Sequence, residues 1–89
     1  MKIIKQKIAP DRYVTGPAKV TFSYQGKENS LCIWHDDEST HTYEYTVAGT
    51  GIEIGVEFEL VDTWVSSDGG FGVFHLIRRQ WNLLDGVEA

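Results

Sequence analysis

Apolar and polar residues alternate along much of this chain, which is the pattern of half-buried β-strands. In the longest example, residues 52–60, aliphatic or aromatic side chains at even positions are separated by glutamate or glycine at odd positions. Because successive side chains of a strand point to opposite faces, whereas a helix repeats every 3.6 residues, this spacing predicts one long strand. It also predicts a bulge at Gly55, because a residue without a side chain can interrupt the hydrogen-bond ladder at the lowest steric cost.

Similar patterns predict further strands, separated by polar or glycine-containing turns. The predicted strands are residues 2–8, 19–24, 31–35, 41–48, 62–65 and 71–78, with a loop at residues 10–17, a turn at Gly49–Gly51 and a hairpin turn at residues 66–70. The nearly continuous apolar run at residues 31–35 is typical of a strand covered on both faces, so we expect it at the centre of the core. The sequence therefore predicts an all-β protein, a small antiparallel sandwich or barrel of six to seven strands. We expect a single β domain over residues 1–79 and a C-terminal tail over 80–89, with a short helical turn near Trp81.

Composition narrows the class of protein. The chain has 89 residues, 42% of them hydrophobic, which is enough for one modest core. Its single cysteine, Cys32, has no partner for an internal disulfide, which fits a reducing cytoplasm. The N-terminal residues show neither a signal peptide nor a membrane span, so we expect no membrane association. A net charge of −5 argues against direct nucleic-acid binding, which depends on clustered Lys and Arg.

Two histidines flank an acidic loop and are candidate metal ligands. If the loop closes a hairpin, His35 and His41 face each other with Cβ atoms about 5 Å apart. With an oxygen ligand from Asp36, Asp37 or Glu38, of which Asp37 is the main candidate, they would form a two-histidine, one-carboxylate site for zinc, nickel or iron, as in a small metal-dependent hydrolase. A solvated turn explains the same polar residues more simply, so no cofactor is predicted.

No arrangement in the chain has the specificity of a catalytic signature. His75 can be grouped with Ser66, Ser67 and Asp68 only nominally, because the serines occupy a predicted hairpin tip and lack the strained turn that orients a nucleophile. The sequence Gly49-Thr50-Gly51 has neither the lysine nor the helix start of a phosphate-binding loop. We therefore predict no catalytic residues and no enzymatic activity.

The acidic face of the predicted long strand is the main candidate for binding. Glu53, Glu57 and Glu59 would project from one side of it, and Glu44 would extend the row if the two strands pair. Such a row could dock on a basic groove of another protein, and an exposed Trp64 could anchor the contact. The alternative is a solvated face that keeps a small β domain soluble.

The order of the motifs resembles a family of short, mostly phage- or prophage-encoded proteins of unknown function. The resemblance runs from about residue 16 to residue 77 and rests on five collinear pieces: Gly16–Ala18, Leu31–Trp34, Val47–Gly51, Thr63 and Phe74–Leu76. It does not cover the acidic loop at residues 36–39 or the tail. It implies a viral origin and a compact β fold, and it brings no catalytic residues.

Together these observations favour a phage accessory protein that binds a host or phage protein in the cytoplasm of the infected bacterium. A host protein is the expected partner, for example a component of host defence. The alternative is a structural or assembly component of the virion, for which the strands would supply a self-pairing edge. The expected state is a monomer or a small homo-oligomer.

Overall fold

The predicted all-β fold is confirmed. The computed structural model describes residues 1–66 and 72–81, and within these ranges it contains seven strands. They are β1 (Ile3–Ile8), β2 (Val14–Gly16), β3 (Thr21–Gln25), β4 (Ser30–Asp36), β5 (Tyr43–Gly49), β6 (Glu59–Val65) and β7 (Val73–Gln80). A short 3-10 helix, Gly26–Glu28, joins β3 to β4, and Asn29 ends it in the left-handed conformation (φ 51°).

The strands form two antiparallel sheets whose inner faces share one core. The first sheet has the order β1-β4-β3 and the second has the order β2-β5-β7-β6. Ile33 of β4 is fully buried, as are Tyr45 and Leu76 from the opposite sheet. The structure is therefore a sandwich, and it confirms that residues 31–35 lie at the centre of the core.

The predicted long strand over residues 52–60 is wrong. Residues 52–58 belong to no strand, and β6 begins only at Glu59. The reason is the strand order: β5 and β6 both run antiparallel to β7, which lies between them, so β5 and β6 are parallel to each other. A connection between parallel strands must cross the sheet to return to the starting end, and residues 50–58 make that crossing over the outer face of the second sheet. We call residues 50–58 the strap.

Three smaller predictions also need correction. The predicted loop at residues 10–17 contains strand β2, which pairs with β5 at the edge of the second sheet. The predicted bulge at Gly55 lies instead between Leu60 and Asp62 of β6. The loop between β4 and β5 is not a hairpin, because these strands lie in different sheets.

The two strands predicted at residues 62–65 and 71–78 form a hairpin, and the second of them extends to Gln80. Strands β6 and β7 pair antiparallel, and the N–H of Ser66 donates to the carbonyl of Gly72 (3.0 Å) to close their connection. Strand β7 includes Gln80, and the N–H of Trp81 donates to the carbonyl of Thr42 (3.0 Å). Residues 67–70 of the predicted turn at 66–70, and residues 82–89 of the predicted tail at 80–89, lie outside the described residues.

Candidate protein-binding surface

The strap begins and ends in tight turns. Gly51 follows β5 with a φ of +87°, a conformation that glycine adopts without a steric penalty, as predicted for this turn. At the other end the N–H of Phe58 donates to the carbonyl of Gly55 (3.1 Å), which places Val56 and Glu57 at the corner of a β-turn. The side chain of Val56 is consequently fully exposed, with a relative accessibility of 102%.

An apolar groove of about 480 Å³ lies between the strap and the outer face of the second sheet. Its floor includes Ala48 of β5 and Ile77 of β7, and its walls are aliphatic or aromatic side chains of the strap and of β6: Ile52, Ile54, Val56, Phe58 and Leu60. Ile52 and Leu60 are 62% and 66% exposed. These exposed aliphatic side chains lie together around one groove, and apolar side chains that cluster in this way mark interaction sites more often than scattered ones do.

Arg79 fastens the strap to the sheet. Its guanidinium lies 5.1 Å from the ring centre of Phe58 and 4.9 Å from that of Tyr13, which are cation–π distances. It also pairs with Glu44 of β5 (2.7 Å) and approaches Glu57 of the strap (3.7 Å). The hydrogen bond to Glu44 raises the pKa of Arg79 above its ordinary value. These contacts hold the C-terminal end of the strap against the outer face of the second sheet.

The predicted acidic row is replaced by an acidic rim. Glu53, Glu57 and Glu59 do not lie on one strand face, because two of them belong to the strap and only Glu59 lies in β6. Glu59 pairs with Arg78, and Glu57 lies near Arg79, yet both carboxylate side chains remain more than half exposed. The Arg78 side chain is less than one fifth exposed and also donates to the carbonyl of Ala18. Negative charge therefore faces solvent beside the groove.

His75 lines the groove between the start of the strap and β6, which is an edge strand of the second sheet. One ring nitrogen lies 2.9 Å from the hydroxyl of Thr50 and the other lies 2.9 Å from the hydroxyl of Thr63. The two contacts tie the start of the strap to β6. Both ring nitrogens have threonine partners, so the structure gives His75 a positioning role between strap and sheet; Ser67 and Asp68 lie outside the described residues.

The candidate metal ligands lie close together, although not through a hairpin. The rings of His35 and His41 have centroids 5.1 Å apart. Nδ1 of His35 must donate to the carbonyl of Asp36 (2.8 Å), so Nε2 is the acceptor for the amide of Gln6 (2.8 Å) and has no lone pair left for a metal.

The remaining candidate ligand is occupied elsewhere. Asp37 accepts a hydrogen bond from the N–H of Lys2 (3.0 Å) and does not converge with the two rings. Across residues 1–66 and 72–81, no group of three or more His, Cys, Asp or Glu side chains is arranged to hold a metal ion. The two histidines instead connect parts of the fold. His35 bonds Gln6 of β1, and Nδ1 of His41, in the β4–β5 loop, lies 3.0 Å from the hydroxyl of Thr15 in β2.

Trp64 is a partly buried residue that packs against the core and not an exposed anchor. Its ring stacks on Tyr24 of the opposite sheet with centroids 5.1 Å apart, and it packs against the buried cluster that includes Leu31. The pairing of Trp64 with Phe74 places it on the inner face of the second sheet. Its predicted role in partner binding is therefore not supported by its position.

The apolar groove is the feature that sequence reasoning missed. The signal was present, because the same alternation that predicted a strand also separates the apolar side chains of the strap from its glutamates. A segment that crosses a sheet also keeps one of its faces against the sheet, although its backbone forms no hydrogen-bond ladder with a neighbouring strand. The local pattern cannot distinguish these two arrangements.

Comparisons with known proteins add no family assignment. A scan against protein-family models and searches of the curated proteins and of the solved structures found no match for this chain. In the part of the chain that the structure describes, no helix has the length and apolar character needed to cross a bilayer.

Proposed function

We propose that this protein is a non-enzymatic protein-binding module, encoded by a phage or prophage and acting on a host protein in the cytoplasm of the infected bacterium. The observation that carries the proposal is the exposure of several aliphatic side chains around one groove. Water-exposed aliphatic surface is costly, and a small protein gains by covering it with a partner. The phage origin and the host partner rest on the sequence resemblance alone.

The proposal is tested by affinity capture of the tagged protein from bacterial lysate, with mass spectrometry as the readout. Ile52→Ser removes apolar surface from the groove, and Ile3→Ser is a matched control because Ile3 is 63% exposed on the outer face of the other sheet. We expect the wild type and Ile3→Ser to capture one host protein in similar amounts, and Ile52→Ser to capture less of it. A triple variant that adds Val56→Ser and Leu60→Ser should abolish the enrichment.

Two outcomes would contradict the proposal. One is an identical set of captured proteins for the wild type and the triple variant, provided that urea unfolding shows both to be folded. The other is the absence of any enriched partner.

The alternative function, a structural component of the virion, requires the protein to assemble with itself. One edge of the second sheet is poorly suited to this, because β6 carries a bulge and the N–H of Thr63 donates to the side chain of Asp62 (2.8 Å). Bulges and occupied backbone donors discourage strand addition. A discrete large oligomer in analytical ultracentrifugation would favour this alternative.

A further inference from the structure

We infer that the apolar groove takes a segment of a partner protein in which a bulky apolar side chain is flanked by lysine or arginine. The inference rests on the proposed function and specifies the chemistry of its partner.

The shape of the groove favours an anchoring side chain. Its volume of about 480 Å³ lies within the range of roughly 300–1,000 Å³ that is typical of ligand sites. The floor of Ala48 and Ile77 is apolar, and the polar groups of His75 and Thr50 lie at one side. Burial of a large aliphatic or aromatic side chain in such a site supplies most of the binding free energy of a small interface.

The charge around the groove favours a basic partner. Glu59 lines the groove, and Glu53 and Glu57 are exposed residues of the strap that forms one of its walls. The guanidinium groups of Arg78 and Arg79 pair with carboxylates nearby but do not line the groove. The arginines are the less exposed members of their pairs with Glu57 and Glu59, and Glu53 has no ion pair within the described ranges. Basic side chains beside the anchor would meet these carboxylates at the rim of the interface, where such pairs set partner choice and association rate.

The other occupants of the groove are disfavoured. A second copy of this chain would bring two acidic rims together, and the repulsion between like charges disfavours that contact. Addition of a partner strand to β6 is disfavoured because the N–H of Thr63 already donates to the carboxylate of Asp62. The contact is therefore made by side chains in the groove and not by extension of the sheet.

The test is selection of a displayed library of random peptides on the full-length protein, followed by fluorescence anisotropy of the enriched peptides. We expect the enriched sequences to share an apolar anchor with Lys or Arg nearby and to lose binding to the Val56→Ser, Leu60→Ser double variant. Glu53→Gln with Glu57→Gln should weaken binding about threefold to tenfold at low salt, and less at high salt. Asp37→Asn with Glu38→Gln is the control, because it makes the same change in net charge on the β4–β5 loop and should leave binding unchanged.

The outcomes separate this inference from the proposed function. Peptides that bind the groove without basic residues, or that tolerate loss of Glu53 and Glu57, would overturn the inferred partner chemistry and leave the binding module in place. A library that yields no groove-dependent peptide would also overturn the inference, and the lysate capture would then decide the proposed function independently. Concentration-dependent dimerisation that is lost with Val56→Ser would show that a second copy is the occupant.

Discussion

The buried hydroxyl of Tyr45 links β5 to β7 and to the connection between β2 and β3, and its removal should destabilise the fold by a predictable amount. Tyr45 is fully buried, donates to the carbonyl of Pro17 and accepts a hydrogen bond from Arg78 (3.2 Å). Tyr45→Phe leaves the Pro17 carbonyl without this donor in a buried site, at a cost of about 1–2 kcal/mol. For a domain of this size that corresponds to a fall of about 5–15 °C in the melting temperature.

The same substitution at Tyr43 is the matched control. Tyr43 lies two residues away on the same face of β5, and within the described part of the chain its hydroxyl has no hydrogen-bond partner. Urea unfolding followed by tryptophan fluorescence should give a lower midpoint for Tyr45→Phe at an unchanged m-value, and a change below about 0.5 kcal/mol for Tyr43→Phe. Equal stability of Tyr45→Phe and wild type, or an equal loss in both variants, would refute the reasoning.

Three further predictions concern the strap, the acidic loop and the thiol. Arg79→Ala removes two cation–π contacts and the pair with Glu44, so it should cost about 1–2 kcal/mol and speed amide exchange at Phe58, whose N–H donates to the carbonyl of Gly55. Lys7→Ala should leave this exchange unchanged, and an unchanged rate in Arg79→Ala would disprove the fastening role. The hydroxyl and N–H of Ser39 and the N–H of Glu38 lower the pKa of Asp36 from its ordinary 3.8. Its contribution to stability is therefore present above pH 3.8 and lost as the pH falls further, so the difference between wild type and Asp36→Asn should shrink in acid; a difference independent of pH would contradict this. Burial raises the pKa of the fully buried Cys32 thiol, so it should react with a thiol reagent at pH 8 far more slowly in the native protein than in urea, and a rapid native reaction would count against its burial.

The strap shows how a correct local pattern led to a wrong strand. Ile52 and Ile54 alternate with acidic or glycine positions in the sequence, and in the structure these side chains do face the groove. What differs is the backbone, which crosses the sheet and has no ladder partner. The site was predicted on the glutamates and Trp64, because an alternating strand would have buried the apolar face that the strap leaves open.

The candidate metal site illustrates a similar limit. The proximity of His35 and His41 was predicted from a hairpin that does not exist, and it arises instead because the β4–β5 loop crosses from one sheet to the other. Whether ring nitrogens are available depends on partners such as Gln6, which is distant in sequence. Hydrogen-bond partners of this kind cannot be deduced from spacing along the chain.

The amino-acid sequence by itself determined the all-β class, most of the strands and the position of residues 31–35 in the core, because alternation and turn residues act locally. Only the tertiary structure decided the strand order and, with it, the groove. Strand β7 inserts between β5 and β6 although it follows both in the chain, and this insertion forces residues 50–58 across the outer face of the sheet. Pairing between distant segments depends on the packing of the whole core, so no local pattern carries it.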